Sequence, residues 1–334
     1  MEKRGHEIKV TARDKDVTKQ LLDVYNIPYT LIGKPKKGKF NLIKEWILRD
    51  IQITKIAREF QPDILMGNLN PAIAHAAKII RKKSIIFTDQ EPEALNFPLA
   101  DMLTIPFADV IITLSSVRHD YGKKEIRVNS FKELAYLHPN WFKPDESVLD
   151  SIDPEKRDNF AILRFVSWDA YHDVGEGGFD LESKSKLVSE LQKYTNVFIS
   201  SESPLPEEFE SYHFPVSPEK MHDLLYFARL LVCDSQTMAT EAAILGTPVV
   251  RCNSFVGDND MSNFINLEKK YQMIFNIQKS QQAIIKAIDI ISVKSGKNEG
   301  IQENRIINEK CDLTSFFIDV IEDKKQEWWL INVA

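Results

Sequence analysis

Short apolar runs rich in β-branched residues alternate along the chain with longer segments of helical periodicity. One helix-like segment, 45–60, places its apolar side chains on a single stripe: Trp46, Ile53, Ala57 and Phe60. The runs around it predict buried strands at IKVTA (8–12), YTLI (29–32), DILM (63–66), SIIFT (84–88) and DVIIT (109–113). Continuous apolar strands separated by such helices predict a parallel sheet covered on both faces.

The alternation stops between residues 133 and 159, which are rich in proline and charge, and then resumes. The second series of predicted strands is FAILRFV (160–166), NVFIS (196–200), LLVC (230–233), PVVR (248–251) and QMIF (272–275). We therefore predict two Rossmann-type α/β domains, 1–137 and 160–334, joined by a linker at 138–159. Parallel sheets bind ligands at the carboxyl ends of their strands, so the functional site is expected there, in a cleft between the domains.

The first residues, MEKRGHEIKVTARD, read as a helix end and a glycine turn followed by a strand. A doubly wound domain ordinarily opens on a strand whose loop lies beside the ligand. We therefore expect the first domain to lack its opening strand. The alternative is that Met1 simply precedes an ordinary first strand.

Composition narrows the class of function. The 334 residues are 43% hydrophobic and carry a net charge of -6, which supports two cores and argues against general nucleic-acid binding. The three cysteines, Cys233, Cys252 and Cys311, have neither metal-ligand spacing nor a disulfide framework, which favours a reducing compartment. The N-terminus lacks the apolar core of a signal peptide, and no run approaches the roughly 18 apolar residues of a membrane span. A cytoplasmic protein is expected.

The segment DSQTMATEAAILGTPVV (234–250) predicts a helix that begins directly after a buried strand. Asp234 and Ser235 are favourable N-cap residues, Gly246 suits a left-handed C-terminal position, and Pro248 prevents continuation of the helix. The helix is therefore expected from about residue 237 to residue 245.

The start of this helix is a candidate phosphate site. Free N–H groups and the helix dipole favour an anion there, so Ser235, Gln236 and Thr237 can bind phosphate. Glu241, one turn further along, can accept hydrogen bonds from two ribose hydroxyls. The alternative is an ordinary capped helix in which Glu241 is solvated.

Two other segments add binding candidates. Phe214 and Val216, at a predicted strand end, can offer backbone groups to a nucleobase; the alternative is a plain turn before a helix capped by Ser217 and begun by Pro218. Arg164, at the end of the strand FAILRFV, can pair with a diphosphate or form a surface salt bridge.

Candidate catalytic groups follow strands in both domains. The loop TDQEPEALN puts acids after a strand of the first domain, and Glu91 is the first candidate for a general base, followed by Asp89. The alternative is a helix start enriched in acids. His172, in RFVSWDAYHDVG, can be a base oriented by Asp169 or Asp173, or can serve packing or a surface bond.

The segment FPVSPEKMHDLLYFARLLVCDSQTMATEAAILGTPVVRCNSF (214–255) resembles the donor-nucleotide half of GT-B-fold proteins. It is similar to UDP-N-acetylglucosamine 2-epimerases and MurG-type glycosyltransferases. The chain resembles more closely still an uncharacterised family filed as a domain of unknown function, through KRGHEIKVTARD, FKELAYLHPNWFKPD, LRFVSWDAYHDVG and LGTPVVRCNSF. The resemblance covers about Lys3 to Phe275 and implies a GT-B-like fold.

The resemblance also implies residue roles. Glu241 matches the glutamate that binds ribose hydroxyls, and Ser235, Gln236 and Thr237 match a Ser-Gly-Gly-like turn over the diphosphate. Both glycines are replaced, so we expect a less close approach of backbone to phosphate. The chain departs from the epimerase-like pattern at Asn68, where an acid is expected, and where RFVSWDAYHDVG replaces a His-Arg pair.

These features favour a glycosyltransferase that needs neither metal nor cofactor. It would transfer a sugar from a nucleotide diphosphate donor to a surface-glycan or lipid-linked acceptor in polysaccharide biosynthesis. A UDP-sugar is the leading candidate for the donor. The alternatives are a UDP-sugar 2-epimerase or hydrolase, and a non-catalytic nucleotide-sugar-binding protein. The basic run Lys34–Lys39 is expected to be a solvated loop or a peripheral contact with the inner face of a membrane. The apolar tail 324–334 is expected to pack on the first domain or on a partner.

Overall fold

The computed structural model describes residues 1–14, 17–33, 39–91, 99–165, 179–201, 205–214, 216–257, 260–293 and 301–322. The chain divides into two compact units. The first contains Met1–Lys132 and the C-terminal helix Leu313–Ile321, and the second contains Glu133–Asp312.

The described secondary structure follows the alternation of the sequence. The strands are β1 Val10–Ala12, β2 Tyr29–Leu31, β3 Ile64–Asn68, β4 Lys83–Thr88, β5 Val110–Leu114, β6 Glu125–Val128, β7 Phe160–Phe165, β8 Asn196–Ser201, β9 Leu230–Cys233, β10 Val249–Arg251 and β11 Ile274–Asn276. The helices are α1 Thr18–Val24, α2 Lys39–Phe60, α3 Pro71–Ile80, α4 Leu99–Thr104, α5 Leu134–Leu137, α6 Leu181–Leu191, α7 Met221–Phe227, α8 Gln236–Ile244, α9 Ser262–Lys269, α10 Ser280–Ser292, α11 Ile301–Glu309 and α12 Leu313–Ile321.

The first unit contains a parallel sheet in the order β3-β4-β5-β6, together with a parallel pair of β1 and β2. The middle of β4 and most of β5 are apolar because the sheet is covered, and the four isoleucines of these strands are completely buried: Ile85, Ile86, Ile111 and Ile112. α2 packs against α3, whose alanines allow close approach. The carboxyl ends of β3, β4 and β5 therefore lie along one edge of this sheet.

The second unit contains a parallel sheet in the order β11-β10-β9-β7-β8. Helices α6 and α10 pack together and bury apolar side chains against the strands: Leu187, Leu191, Ala283 and Ala287 lie in one cluster with Ala161, Leu163 and Val232. Both units are thus parallel α/β layers of the Rossmann type, as predicted.

Each strand of the two predicted series is present, with small shifts such as β11 at Ile274–Asn276 in place of 272–275. The strand end predicted at Phe214 and Val216 belongs to no strand of the described residues, where an isolated bridge joins Ile199 and His213. The strand β6 was not predicted, because its sequence EIRV alternates charged and apolar residues. At the N-terminus a 3-10 turn, Glu2–Arg4, ends at Gly5 with φ 87°, and β1 follows. The sequence predicts a helix end, a glycine turn and a strand, and the structure has a 3-10 turn in the place of the helix end.

Candidate functional site

The start of α8 lies at the carboxyl edge of the second sheet. The Asp234 N–H donates to the carbonyl of Arg164 at the end of β7 (3.3 Å), and the Asn253 side-chain amide donates to the carbonyl of Asp234 (3.0 Å). The carboxyl end of β7 and the segments that follow the neighbouring strands β9 and β10 are therefore tied together where the helix begins. The predicted helix is confirmed, and Gly246 takes the expected left-handed conformation with φ 84°.

The first turn of α8 presents backbone donors. N–H groups in the first turn of a helix have no carbonyl partner within that helix. Gln236 is half-buried and Thr237 is exposed, so this turn is accessible. Ser235 occupies the N-cap position with extended backbone, and among the described contacts its hydroxyl does not bond to the helix start. The geometry suits an anion at Ser235, Gln236 and Thr237.

Glu241 lies one turn into α8 and is only 9% exposed, which differs from the solvated glutamate of the alternative interpretation. The Tyr136 hydroxyl donates to its Oε1 (2.8 Å), and His222 Nε2 lies 3.1 Å from the same oxygen. These partners come from α5 and α7. Sequence reasoning missed both, because no local pattern links Tyr136 to a residue 105 positions away.

Arg164 is the second-last residue of β7 and lies opposite Ser200 of β8 and Cys233 of β9. Its guanidinium Nη1 donates to the Ser200 hydroxyl (2.9 Å), and the side chain is half-buried. The carbonyl of the same residue accepts the N–H of Asp234, two residues before the start of α8. A cationic side chain therefore belongs to the strand that borders the helix start.

Phe214 and Val216 use their N–H groups within the chain. The Phe214 N–H donates to the carbonyl of Ile199 (3.2 Å), and the Val216 N–H donates to the carbonyl of Phe214 (2.9 Å). The Phe214 ring lies 5.0 Å from that of Phe198. A nucleobase would therefore meet this segment through groups other than these two N–H donors.

The acids of the first unit follow β4. Asp89 forms an ion pair with Lys132 (2.8 Å). Glu91 is 1% exposed and accepts hydrogen bonds from both the backbone N–H (3.0 Å) and the guanidinium (2.8 Å) of Arg118. The structure thus places both acids at the carboxyl edge of the first sheet, with Glu91 the more deeply buried.

Several predicted positions lie outside the described residues. These are His172, with its neighbours Asp169 and Asp173, most of the basic run Lys34–Lys39, and the apolar tail 324–334.

None of the described helices is both long enough and apolar enough to cross a membrane.

The buried thiols beside the site are held protonated. Burial raises the pKa of the Cys233 thiol well above its ordinary value, and the neighbouring charge of Asp234 adds to the shift. Burial likewise raises the pKa of Cys252 to about 12. Both side chains are completely buried, so they pack in the interior of the second unit.

Residues 1–322 match the sequence profile of a family described as "Protein of unknown function (DUF354)". Over 265 residues the chain is 23% identical to the uncharacterized protein MJ0665 of Methanocaldococcus jannaschii, and the match covers 75% of each protein.

Solved structures share the fold at low sequence identity. The UDP-GlcNAc 2-epimerase of Methanocaldococcus jannaschii is 14% identical, with a TM-score of 0.62 over 95% of this chain and 91% of that one. The S. aureus MnaA–UDP co-structure is 10% identical, with a TM-score of 0.62 over 98% and 97%. The spinosyn forosaminyltransferase SpnP is 11% identical, with a TM-score of 0.62 over 96% and 92%.

These comparisons confirm the resemblance found in the sequence. The two Rossmann-type units have the GT-B-like fold that the motifs imply. The chain belongs to the DUF354 family of proteins of unknown function.

Proposed function

We propose that this protein is a glycosyltransferase that binds a nucleotide diphosphate sugar, with a UDP-sugar in first place, and transfers the sugar to a glycan or lipid-linked acceptor. The observation that carries the proposal is the buried carboxylate of Glu241, held one turn behind an accessible helix start. A helix start suits a diphosphate, and a fixed carboxylate one turn away suits the hydroxyls of the adjoining ribose.

The second unit would hold the donor. The first-turn N–H groups at Ser235, Gln236 and Thr237 would bind the diphosphate, and the positive charge of Arg164 would favour it further. As the bond between the sugar and the diphosphate breaks, negative charge grows on the leaving oxygen. Fixed donors aimed at that oxygen stabilise it in the transition state.

The first unit would supply the acceptor-side group. Asp89 is the favoured base: it would take the proton of the acceptor hydroxyl as the new bond to the sugar forms. The deep burial of Glu91 and its two bonds from Arg118 favour a role in holding that arginine and its loop. His172 remains the other candidate base.

A 2-epimerase is less favoured by the chain's own residues. Asn68 ends β3, where the epimerase-like pattern expects an acid, and its Oδ1 accepts the N–H of Leu69 (3.0 Å). Within the proposal the enzyme acts in polysaccharide biosynthesis on the cytoplasmic side of a membrane, with Lys34–Lys39 as a candidate contact with anionic lipid.

The test is turnover of a set of UDP-sugars with and without glycan or lipid-linked acceptors. UDP release that depends on an acceptor supports the proposal. Sugar interconversion without an acceptor would indicate an epimerase, and UDP-sugar binding without any turnover would indicate a binding protein.

Replacing the proposed base should separate catalysis from donor binding. We expect Asp89→Asn to lower kcat by about 100-fold, the low end for a positioned base, with UDP affinity unchanged. The matched control is Asp63→Asn, at a 97% exposed aspartate of the same unit, which should leave kcat unchanged. An Asp89→Asn enzyme with full kcat would remove Asp89 from the mechanism.

A further inference from the structure

Two side chains converge on a single oxygen of Glu241. The Tyr136 hydroxyl donates to Oε1 (2.8 Å), and His222 Nε2 lies 3.1 Å from the same atom. Neither residue belongs to α8: Tyr136 lies on α5, and His222 lies on α7. The position of the carboxylate therefore depends on two other helices of the second unit.

The two partners are themselves fixed by packing. The Tyr136 and His222 rings lie 5.4 Å apart, and the Phe142 ring meets His222 edge-on at 6.2 Å. Tyr136 is still 39% exposed, so the cluster can be reached from solvent. The Tyr136, His222 and Phe142 rings pack against one another while Tyr136 stays partly accessible. Such a cluster can hold the Glu241 carboxylate beside a ligand site.

The helix that carries His222 is anchored at its start. Lys220 Nζ forms an ion pair with Asp145 (2.7 Å), and the buried Asp223 carboxylate accepts the N–H of Asp145 (2.8 Å).

At the other end of α7, the Thr247 hydroxyl donates to the carbonyl of Leu225 (2.6 Å). Because Thr247 lies three residues after the end of α8, this bond ties the C-terminal ends of the two helices together.

Because Glu241 is buried, these contacts stabilise its carboxylate and hold it in one orientation. A carboxylate removed from water is costly unless donors and positive charge compensate it. Ala242 and Ala243, which follow Glu241, are completely buried, so the helix itself has little freedom to shift. The orientation of the carboxylate is thus set before any ligand arrives, and pre-set polar groups bind at lower entropic cost.

We propose that Tyr136 and His222 are positioning residues that hold the Glu241 carboxylate for the ribose hydroxyls and thereby select ribonucleotides over 2′-deoxyribonucleotides. The inference rests on the proposed function, since it assumes a nucleotide at the start of α8. A ribose offers two neighbouring hydroxyl donors to a carboxylate, and a 2′-deoxyribose offers one. A carboxylate held at a fixed angle discriminates between them, whereas a misplaced carboxylate does not.

The test is calorimetric titration of the full chain with UDP and with 2′-deoxy-UDP. We expect wild type to prefer UDP by about tenfold or more, the effect of one hydrogen bond to a charged group. Tyr136→Phe and His222→Leu should each reduce that preference by about threefold or more, mainly through weaker UDP binding. His222→Gln keeps an N–H donor and should retain most of the preference.

The matched control is Tyr212→Phe, which removes a hydroxyl that donates to Gln192 elsewhere in the same unit and should change neither affinity. An unchanged preference in Tyr136→Phe and His222→Leu, or equal weakening of both nucleotides, overturns the positioning role. Wild type that binds no UDP overturns the proposed function and this inference with it. A cooperative melt of each variant establishes folding, and if one variant does not fold, the other decides.

Discussion

Arg251 ends β10 and is completely buried, although arginine is among the side chains least often found inside a protein. Its guanidinium forms a two-armed ion pair with the buried Asp260 (2.6 and 3.2 Å) and donates to Asn276 (2.8 Å). The ring of Phe264 lies 3.7 Å below it. The strand end that leads into the loop of Asn253, beside the start of α8, is thus fixed by one charged cluster.

Breaking this cluster should be costly. We expect Asp260→Ala to lower the free energy of unfolding by about 3–5 kcal/mol, because the arginine would be left as an uncompensated buried charge. Chemical denaturation of the two proteins measures the difference. The control is Glu190→Ala, which removes an exposed pair with Lys193 and should cost less than about 1 kcal/mol. An Asp260→Ala protein as stable as that control would show that the pair is unimportant.

At the scale of elements, helix α11 is held against the end of α9 by contacts of its last residue, Glu309. Glu309 accepts hydrogen bonds from Tyr271 (2.9 Å) and from Arg305 (3.0 Å), and it forms an ion pair with Lys270 (2.5 Å). Lys270 and Tyr271 directly follow α9. The hydrogen bond from Lys270 is the largest of the effects that lower the pKa of Glu309 from 4.5 to about 2. The link between α9 and α11 therefore depends on an ionised carboxylate.

This shift predicts a pH dependence. Since the folded pKa is lower than the unfolded one, the unfolded chain binds more protons between them. The contribution of Glu309 is therefore fully present above about pH 4.5 and is lost as the pH falls towards 2. We expect the Tm difference between wild type and Glu309→Gln to shrink over this range. A Tm difference that stays constant between about pH 6 and about pH 2 would contradict the lowered pKa of Glu309.

Helix α8 shows which elements the sequence could predict. Its start and stop signals are local: Asp-Ser before it, and Gly246 and Pro248 after it. Such signals depend on the backbone of a few neighbouring residues, so they are the same before and after folding.

In contrast, the sequence did not predict β6, because the charged residues Glu125 and Arg127 are typical of an exposed segment. In the structure Arg127 donates to the carbonyls of Val117 and His119 and braces the loop after β5.

At the scale of the whole molecule, the sequence predicted two parallel α/β units because apolar strands and amphipathic helices are repeated along the chain. It also placed Arg164 and the start of α8 at the carboxyl edge of one sheet, since strand ends meet there. The partners of Glu241 could not be predicted. Tyr136 and His222 reach it through the packing of α5 and α7, and that packing is not encoded in any single segment.

The central claim is that the second unit binds a nucleotide through Glu241. Calorimetric titration of UDP into wild type and Glu241→Gln tests it most directly, with Glu190→Gln as the matched surface control. We predict that UDP binds wild type and the control alike, and that Glu241→Gln weakens binding by about tenfold or more while its melt stays cooperative. Equal UDP affinity in wild type and Glu241→Gln, or no binding to wild type, would contradict the account.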